Sequence, residues 1–259
     1  MLSTRPGSGA SAPRSPQIPH MPGRQGYAVV SCHVERPLDD EVWGRYRRLL
    51  ERRPAGFPIT SLMRPPGEGE DAEVFLERAT RAARLGPLGH HTHWTSATHA
   101  RPTGGDPAAT VRREGDWLRA QGLEARFFCG GGWYTDPQVM AAVADLGYAD
   151  CSATAWRPRT LDAGAARASL AQPAWLRLED GRRVLELPTT HSLGAAARSL
   201  WRPLPRVVHM HFHDYELLDP RRSAALRATL VILAARRTPV GLDALASDAE
   251  VGWDEVFAG

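Results

Sequence analysis

The chain has 259 residues, with 42% hydrophobic and 24% charged side chains, which is ordinary for a globular protein with a sizeable core. Its 32 basic residues are all arginine and are mixed with 29 acidic residues, giving a formal charge of +3. Because no basic arm or stripe stands out, we expect no nucleic-acid partner. No apolar run approaches the roughly 18 residues that cross a bilayer, so we expect no membrane span.

Residues 1–26 are rich in Pro, Gly, Ser and Arg and lack the apolar region of a secretory signal. We therefore expect a disordered leader followed by one folded domain over residues 27–259. The three cysteines, Cys32, Cys129 and Cys151, are too few and too scattered for a disulfide framework. These features favour a reducing compartment and a cytoplasmic location.

Strand-like and helix-like stretches alternate after the leader. The predicted strands are "YAVVSC", "FPITSLM", "LGHHTHW", "ARFFCGGG", "YADCSA", "RVLELP" and "RVVHMHFH", in chain order. The predicted helices are "LDDEVWGRYRRLLERR", "GEDAEVFLERATRAARLG", "DPAATVRREGDWLRAQG", "DPQVMAAVADLG" and "DPRRSAALRATLVILAARR". A looser region over 156–182 contains an "EDGR" hairpin turn, and "TPVGLDAL" is expected to form a last strand and turn.

About seven alternations of this kind favour parallel strands with helices outside them. A dinucleotide-binding open sheet would need a glycine-rich turn after the first strand, and "SCHVERPLDD" has no glycine. A closed barrel therefore fits better. Such a barrel places its chemistry at the carboxyl ends of the strands.

Three predicted strands each end in a pair of histidine or acidic residues spaced two apart. The pairs are His33 with Glu35, His91 with His93, and His211 with His213. Both members of each pair project to the same face of a strand. Buried imidazoles and carboxylates cost several kcal/mol unless they are paired or bound to metal. The pattern thus predicts a divalent metal site, with ligand types that suit zinc and also cobalt, nickel or iron.

A single histidine is more often a hydrogen-bonded structural residue than a metal ligand. We prefer that structural interpretation for His90, His99 and His209. It is less economical for the strand-end pairs, because it must then apply to three of them at once.

The glycine run Gly130, Gly131 and Gly132 indicates a tight turn or a close approach of the backbone. A substrate is expected to lie against main-chain amides here, with Trp133 or Tyr134 forming an aromatic wall. Packing of Trp133 in the core is equally compatible with the sequence.

The order of these motifs resembles the polysaccharide deacetylase family, carbohydrate esterase family four, over roughly residues 27–245. The stretches that carry the resemblance are "SCHVER", "LGHHTHW", "FFCGGGWYTDPQVMAAVADLGY", "YADCSA", "VLELPTTHS" and "HMHFHDYELLD". The resemblance implies a single-domain α/β protein with a distorted barrel of the (β/α)7 type. It also implies one divalent metal, with zinc as the expected ion.

Carried over to this sequence, the resemblance implies that Glu35 and His91 bind the metal and that His213 is the general acid. The family's second metal histidine falls where this chain has Thr95, and His93 is the nearest substitute. The base position is occupied by His33.

Two further positions belong to the expected active site, namely the one occupied by Cys129 and that of a carboxylate beside His213. The arginine that pairs with the family's base is replaced by Cys129 in this chain. Loss of both members of that pair is consistent, because an arginine without its carboxylate would be an unpaired buried charge. A carboxylate, Asp214 or Asp150, is expected to orient His213, and Asp214 is included among the candidate catalytic residues.

The leading hypothesis is a metal-dependent hydrolase of C–N amide bonds that deacetylates an N-acylated sugar or glycan precursor. One alternative is a degenerate member of the family that binds carbohydrate without turnover. The other is a hydrolase of a small cyclic amide.

Overall fold

The computed structural model describes residues 26–95, 100–102, 104–159, 161, 164–252 and 255–257. The predicted leader, apart from Gly26, and the structural role expected for His99 lie outside the described residues. Within the described part of the chain, every helix is too short or too polar to span a bilayer.

Eleven strands and seven α-helices are found in the described residues. The strands are β1 (Tyr27–Val34), β2 (Ile59–Met63), β3 (Leu88–Thr92), β4 (Phe127–Gly130), β5 (Ala149–Asp150), β6 (Ala174–Arg177), β7 (Arg183–Glu186), β8 (His191–Ser192), β9 (Val207–His213), β10 (Thr238–Pro239) and β11 (Glu255–Phe257). The helices are α1 (Asp40–Arg52), α2 (Ala72–Leu85), α3 (Pro107–Ala120), α4 (Pro137–Asp145), α5 (Leu193–Ser199), α6 (Pro220–Arg236) and α7 (Leu242–Gly252).

Aspartate caps begin most of the long helices. In each case the side chain accepts hydrogen bonds from amides of the first turn, which otherwise lack partners. The caps are Asp39, Asp71, Asp106, Asp136 and Asp219. Proline follows the cap in α3, α4 and α6, where a missing N–H costs nothing. The predicted Asp-Pro helix starts are therefore confirmed.

The strands form one sheet in the order β11-β6-β7-β5-β4-β3-β2-β1-β9-β8, with β10 added beside β1. All described pairings are parallel except that of β6 with β7, which form the predicted hairpin around the "EDGR" turn. The chain from β7 to β8 closes the ring. It pairs with β5 at its start, through Leu187 N–H to the Asp150 carbonyl (2.7 Å), and with β9 at its end, through Thr190 N–H to the His209 carbonyl (2.9 Å).

The ring therefore has seven members, namely β1, β2, β3, β4, β5, the β7–β8 stretch and β9. This is the distorted α/β barrel that the sequence predicts. The barrel is irregular because β5 and β8 have two residues each and the closing stretch changes partner midway.

Alternate residues of β1 face inward, so the barrel interior is layered along the strand. Val29 lies in an apolar cluster with Phe127, Leu185 and Val207 at the amino end of the strands. His33 lies four residues further along β1, at the carboxyl end. Since the strands are parallel, the carboxyl ends of β1, β3 and β9 meet at one edge.

The outward residues of the strands pack beneath the helices. Val30 of β1 and Met210 of β9 join one apolar cluster with α1, α2, α5 and α6, while Phe128 of β4 joins another with α3 and α4. The cysteines Cys32, Cys129 and Cys151 are buried free thiols.

Three elements differ from the prediction. "TPVGLDAL" forms a strand of only two residues, and then helix α7 begins at Leu242 instead of a turn. Strand β8 and helix α5 were not predicted, because "HSLGAAARS" carries no alternation and is held by pairing with β9. Strand β6 lies in the region expected to be loose and gains its order from β7.

Candidate metal centre and active site

Six histidine and glutamate side chains meet at the carboxyl ends of β1, β3 and β9. We call this edge of the barrel the mouth, and it consists of His33, Glu35, His91, His93, His211 and His213. These are the three strand-end pairs that the sequence predicts to converge. The structure brings all of them together.

Glu35 is the centre of the mouth. Its Oε2 lies 2.7 Å from His93 Nε2, and its Oε1 lies 3.4 Å from His91 Nε2 and 3.7 Å from His213 Nε2. Burial acts to raise the pKa of Glu35, but the imidazoles of His91 and His93 outweigh it, so the pKa is well below its ordinary value. The side chain is therefore a carboxylate at neutral pH, as a metal ligand must be.

The orientation of His91 is set by the backbone of β4. Its Nδ1 donates a hydrogen bond to the carbonyl of Cys129 at 2.8 Å. In the neutral ring the proton is then on Nδ1, and the lone pair of Nε2 faces the mouth. A backbone acceptor of this kind is a common second-layer partner of metal-binding histidines.

His33 lies deeper, surrounded by other rings. Its ring centroid is 4.5 Å from that of His91 and 5.3 Å from those of Trp133, His211 and His213. Burial, followed by the charges of His91 and the other imidazoles, lowers the pKa of His33 well below its ordinary value. His33 is therefore neutral near pH 7 and able to accept a proton.

Several ring nitrogens in and below the mouth are buried without a hydrogen-bond partner among the described residues. They are His33 Nε2, His91 Nε2, Trp133 Nε1 and His211 Nδ1. Buried polar groups of this kind are rare in folded proteins, since each costs about 1–3 kcal/mol. Their clustering indicates a position prepared for a polar or cationic occupant.

His213 stands at the rim, and its pKa is lowered by burial, while the charges of Glu35 and Glu216 act in the opposite direction. Glu216 is the nearby carboxylate: its Oε2 accepts the His213 backbone N–H at 3.0 Å and lies 4.0 Å from Nδ1. Glu216 was not singled out from the sequence as the partner of His213. The sequence signal that could have identified Glu216 is its position three residues after His213, at the end of a strand.

Asp214 has a different role from the one expected. Its carboxylate accepts hydrogen bonds from the backbone amides of Arg36 (2.9 Å) and Tyr215 (2.8 Å), and so ties the loop after β1 to the end of β9. Burial, with the charge of Glu35, raises the pKa of Asp214 to about 6. Asp150, the other expected partner, accepts from the Ser152 amide (2.9 Å) and hydroxyl (2.6 Å). Neither carboxylate has a described contact with the His213 ring.

The glycine run allows the backbone to pack closely against neighbouring carbonyl groups. A side chain at Gly130 would meet the Tyr134 carbonyl at 2.1 Å, and one at Gly131 would meet the Ala100 carbonyl at 1.8 Å. The Gly130 amide is already donated to the Ser152 hydroxyl at 2.9 Å. The expectation that this amide faces a substrate is therefore wrong, because the hydroxyl of a neighbouring strand uses it.

The two aromatic residues after the glycines diverge. Gly132 and Trp133 have positive φ values of 63° and 61°, and this turn directs the indole into the mouth, 4.6 Å from the His211 ring. Tyr134 packs edge-on against Trp94 and donates its hydroxyl to Asp136 at 2.5 Å, at the start of α4. Trp133 is thus a wall of the site, and the expectation that Tyr134 is one is wrong.

Two further aromatic residues border the mouth and were missed from the sequence. Trp156 stacks on His211 with an interplanar angle of 13°, and Tyr215 stacks on His213 with an angle of 23°. Tyr215 is 38% exposed, so its ring is accessible from solvent. Tyr215 lies only two residues after His213, whereas Trp156 comes from the loop after β5, and nothing in its sequence neighbourhood marks it.

The departures from the family pattern lie where the resemblance implies. Cys129 Sγ is within 4.8 Å of ligand atoms of His33 and His91 and is fully buried. Arg64, on the strand next to β1, donates to the Glu35 carbonyl at 3.2 Å and is paired with Glu70 at 2.7 Å. Arg64 therefore braces the loop of Glu35 without bringing an unpaired charge.

Two histidines outside the mouth are structural, as expected. His209 Nε2 contacts the Ser31 hydroxyl at 2.9 Å, and its Nδ1 contacts the Leu187 carbonyl at 3.1 Å. His90 contacts Glu114 at 2.9 Å on the outer face of β3.

The donor set fits a divalent metal. Ligand atoms of Glu35, His91 and His93 lie within 4.8 Å of one another, as one carboxylate oxygen and two imidazole nitrogens. Two histidines with one carboxylate are typical of catalytic zinc sites, which leave a fourth position open. The specific observation in favour of such an ion is His91 Nε2, which is buried and faces Glu35 Oε1 at 3.4 Å without forming a hydrogen bond.

No protein-family model and no curated protein matches the chain. Among solved structures, a 4-α-glucanotransferase from Thermococcus litoralis has a TM-score of 0.53 at 14% identity, over 90% of this chain and 40% of that one. A mutant CE4 family pseudoenzyme with restored enzymatic activity has a TM-score of 0.50 at 10% identity, over 91% of this chain and 71% of that one. A family 4 carbohydrate esterase from Streptomyces lividans, in complex with acetate, has a TM-score of 0.48 at 12% identity, over 82% and 90%.

The chain is thus an α/β barrel protein with a site of histidines and a carboxylate at the carboxyl ends of its strands. It spans 40% of the length of the glucanotransferase, so the barrel is the part that the two share. At 10% identity, the likeness to the CE4 family pseudoenzyme is likewise one of fold.

Proposed function

We propose that the protein is a metal-dependent hydrolase of amide C–N bonds that removes the acyl group from an N-acylated sugar or glycan precursor. The observation that carries this proposal is the triad of Glu35, His91 and His93, in which the Cys129 carbonyl fixes His91 with Nε2 toward the carboxylate. The fold shared with a carbohydrate esterase family member supports the reaction type.

In this proposal, Glu35, His91 and His93 would bind the metal. When bound, a divalent ion of the zinc type supplies Lewis-acid activation of water and of the amide carbonyl. Glu35 provides the negative charge, and the two histidines bind through Nε2. Arg64 and Glu70 hold the Glu35 loop in place, which fixes the carboxylate relative to the two imidazoles.

We assign the two proton transfers to His33, as the base, and to His213, as the acid. His33 takes the proton from water at its buried, unpartnered Nε2. Burial and the surrounding imidazoles lower its pKa and keep the ring neutral near pH 7, while the charge of Glu35 acts in the opposite direction and favours the protonated ring. His213, at the rim, gives a proton to the departing amine. Burial lowers the pKa of His213 overall, and the charges of Glu35 and Glu216 act against that lowering, toward the protonated form that an acid needs.

The aromatic rings support a sugar substrate. Trp133, Trp156 and Tyr215 surround the imidazoles of β9, and Tyr215 offers a face to solvent. Aromatic rings bury large apolar areas while the indole N–H and phenol O–H bind polar groups, which suits the mixed surface of a sugar. A cavity of about 540 Å³ opens beside His93, and charged side chains form much of its lining.

The test uses the full chain, stripped with a chelator and reloaded with one equivalent of zinc. We expect release of acetate from N-acetylated chitooligosaccharides only after zinc is restored. A glycan-binding signal without acetate release would support the binding-only alternative. Release of ring-opened product from a cyclic ureide, but no acetate, would support the cyclic-amide alternative.

Two matched variants distinguish a loss of the metal site from a general loss of the folded structure. His91→Gln removes a proposed metal ligand, and we expect it to lose zinc and activity together. His191→Gln changes a half-buried histidine whose Nδ1 contacts only the Thr190 hydroxyl among described partners (2.8 Å), and it should retain both. If His91→Gln is as active as the unchanged protein, the proposal fails.

A further inference from the structure

The mouth contains more metal ligands than one ion can use. Besides Glu35, His91 and His93, a second set of ligand atoms lies within 4.8 Å of one another, from His33, Glu35 and His213. The two sets share only Glu35. We propose that the mouth binds a second divalent cation at His33, Glu35 and His213, with the Glu35 carboxylate shared between the two ions.

The geometry of Glu35 favours sharing. Its Oε2 faces His93 at 2.7 Å, whereas its Oε1 lies between His91 (3.4 Å) and His213 (3.7 Å). Oε1 is therefore within reach of one histidine from each set, while Oε2 faces His93. Carboxylates in two-metal sites commonly hold ions about 3.5–4 Å apart. Each ion would have two imidazoles and one carboxylate oxygen, which suits a zinc-like ion with a free fourth position.

His33 supplies the independent observation. It is 2% exposed, and its Nε2 has no hydrogen-bond partner among the described residues. A cation bound at Nε2 removes the cost of leaving this nitrogen buried and unpartnered.

A third set, His33, His91 and Cys129, is the weaker competitor for the second ion. Cys129 Sγ already points to the carbonyls of Gly130 (3.8 Å) and Cys151 (3.7 Å), as a thiol that donates. It also lies in the apolar cluster below the mouth. The set that we propose contains the carboxylate of Glu35 in place of this thiol.

The second ion has a consequence that rests on the proposed function. It binds the same His33 and His213 that the hydrolase needs as proton carriers, so it must be absent during turnover. Metal in excess of one equivalent is then expected to inhibit. The mouth would thus be active with one ion and blocked with two.

The test is a titration of the metal-free full chain with cobalt(II), with binding measured by equilibrium dialysis and by the visible absorption of the bound ion. We expect two equivalents to bind. His213→Gln, at the partly buried rim, should bind one equivalent and lose affinity for the other by more than about 100-fold, more than the loss of a second-layer partner. His33→Gln should behave in the same way, and His191→Gln should still bind two.

The possible outcomes separate the two proposals. Saturation at one equivalent in the unchanged chain overturns the second site, whether or not acetate is released. Two equivalents in both His213→Gln and His33→Gln also overturn it, because the second ion is then elsewhere. Two equivalents that fall to one in these variants, with no hydrolysis at any metal ratio, support the second site and reject the hydrolase.

Discussion

The two ends of the barrel interior are built from the same strands and have opposite chemistry. At the amino end, Val29, Phe127 and Leu185 form a packed apolar layer. At the carboxyl end, the same strands present His33, Glu35 and the other imidazoles of the mouth. The apolar end stabilises the fold. The polar end destabilises it, because ring nitrogens are buried there without hydrogen-bond partners. A substitution at the polar end should therefore change metal binding and activity, and a substitution at the apolar end should change stability.

The largest effect is expected at the centre of the mouth. Glu35→Gln keeps the shape of the side chain but removes the charge that the metal needs. We expect loss of bound zinc and a fall in kcat/KM of about 1000-fold or more, because the ion contributes several kcal/mol. The free energy of unfolding of the metal-free protein should fall near pH 7, because the folded chain lowers the pKa of Glu35 and so stabilises its charged form. Metal analysis of the purified variant checks the first point, and retention of zinc would contradict it.

The opposite end should respond in stability alone. Phe127→Ala removes a ring that is 2% exposed, and we expect the free energy of unfolding to fall by about 3–5 kcal/mol. Urea unfolding measures this loss. Zinc affinity at low temperature should remain within a factor of about two, since no mouth residue is changed. A large loss of zinc affinity would show that the two ends are coupled.

A third region tests the cost of buried carboxyls away from the mouth. Asp150 and Glu186 pair across β5 and β7 and are both fully buried. Burial raises the pKa of Asp150 to about 6, and burial and then the charge of Asp150 raise the pKa of Glu186 well above its ordinary value. Both hold protons more tightly when folded, so their contribution to stability is full below about pH 4. The contribution of Asp150 is lost as the pH rises through about 6, and that of Glu186 is lost as the pH rises through its own raised pKa.

Glu186→Gln fixes this side chain in a neutral form, and its Oε1 can still accept from the Ala153 amide. We expect roughly 1–3 kcal/mol of added stability near pH 8 and a flatter pH profile, measured by urea unfolding between about pH 5 and 8. Glu124→Gln, at an exposed position, is the control and should leave the profile unchanged. A profile in Glu186→Gln as steep as that of the unchanged protein would contradict the prediction.

The smallest effect is expected at Tyr134. Tyr134→Phe loses one hydroxyl that donates to Asp136 outside the mouth. We expect a loss of stability of at most about 1 kcal/mol and no change in kcat/KM. Trp156→Ala, at the border of the mouth, is the comparison and should raise KM. If Tyr134→Phe alters KM and Trp156→Ala does not, the assignment of the aromatic wall is wrong.

The sequence predicted the parts of this molecule whose signals are local. Spacing of two along a strand placed His33 with Glu35 and His91 with His93 on one face, and the structure has them so. Asp-Pro starts placed the helices at Asp106 and Asp136. Parallel strands then bring their carboxyl ends together, which made convergence of the pairs predictable.

Tertiary structure alone decided how the loops are distributed around the mouth. Tyr134 and Trp133 are adjacent in sequence, but the left-handed turn at Gly132 and Trp133 sends one outward and one inward. Asp214 binds the Arg36 amide because β9 lies beside β1, a pairing of residues far apart in the chain. Trp156, in the loop after β5, stacks on His211 of β9, which is likewise a contact between residues far apart in the chain.

The amino-acid sequence by itself therefore determined the alternation of elements, the helix caps and the face that each strand-end side chain occupies. Those features depend on residue propensity and strand periodicity within a few neighbours. Which carboxylate faces which imidazole, and which ring nitrogens remain without a partner, depends on closure of the barrel through the β7–β8 stretch and on contacts between distant loops. Such contacts are fixed by packing of the whole chain, so no local pattern encodes them.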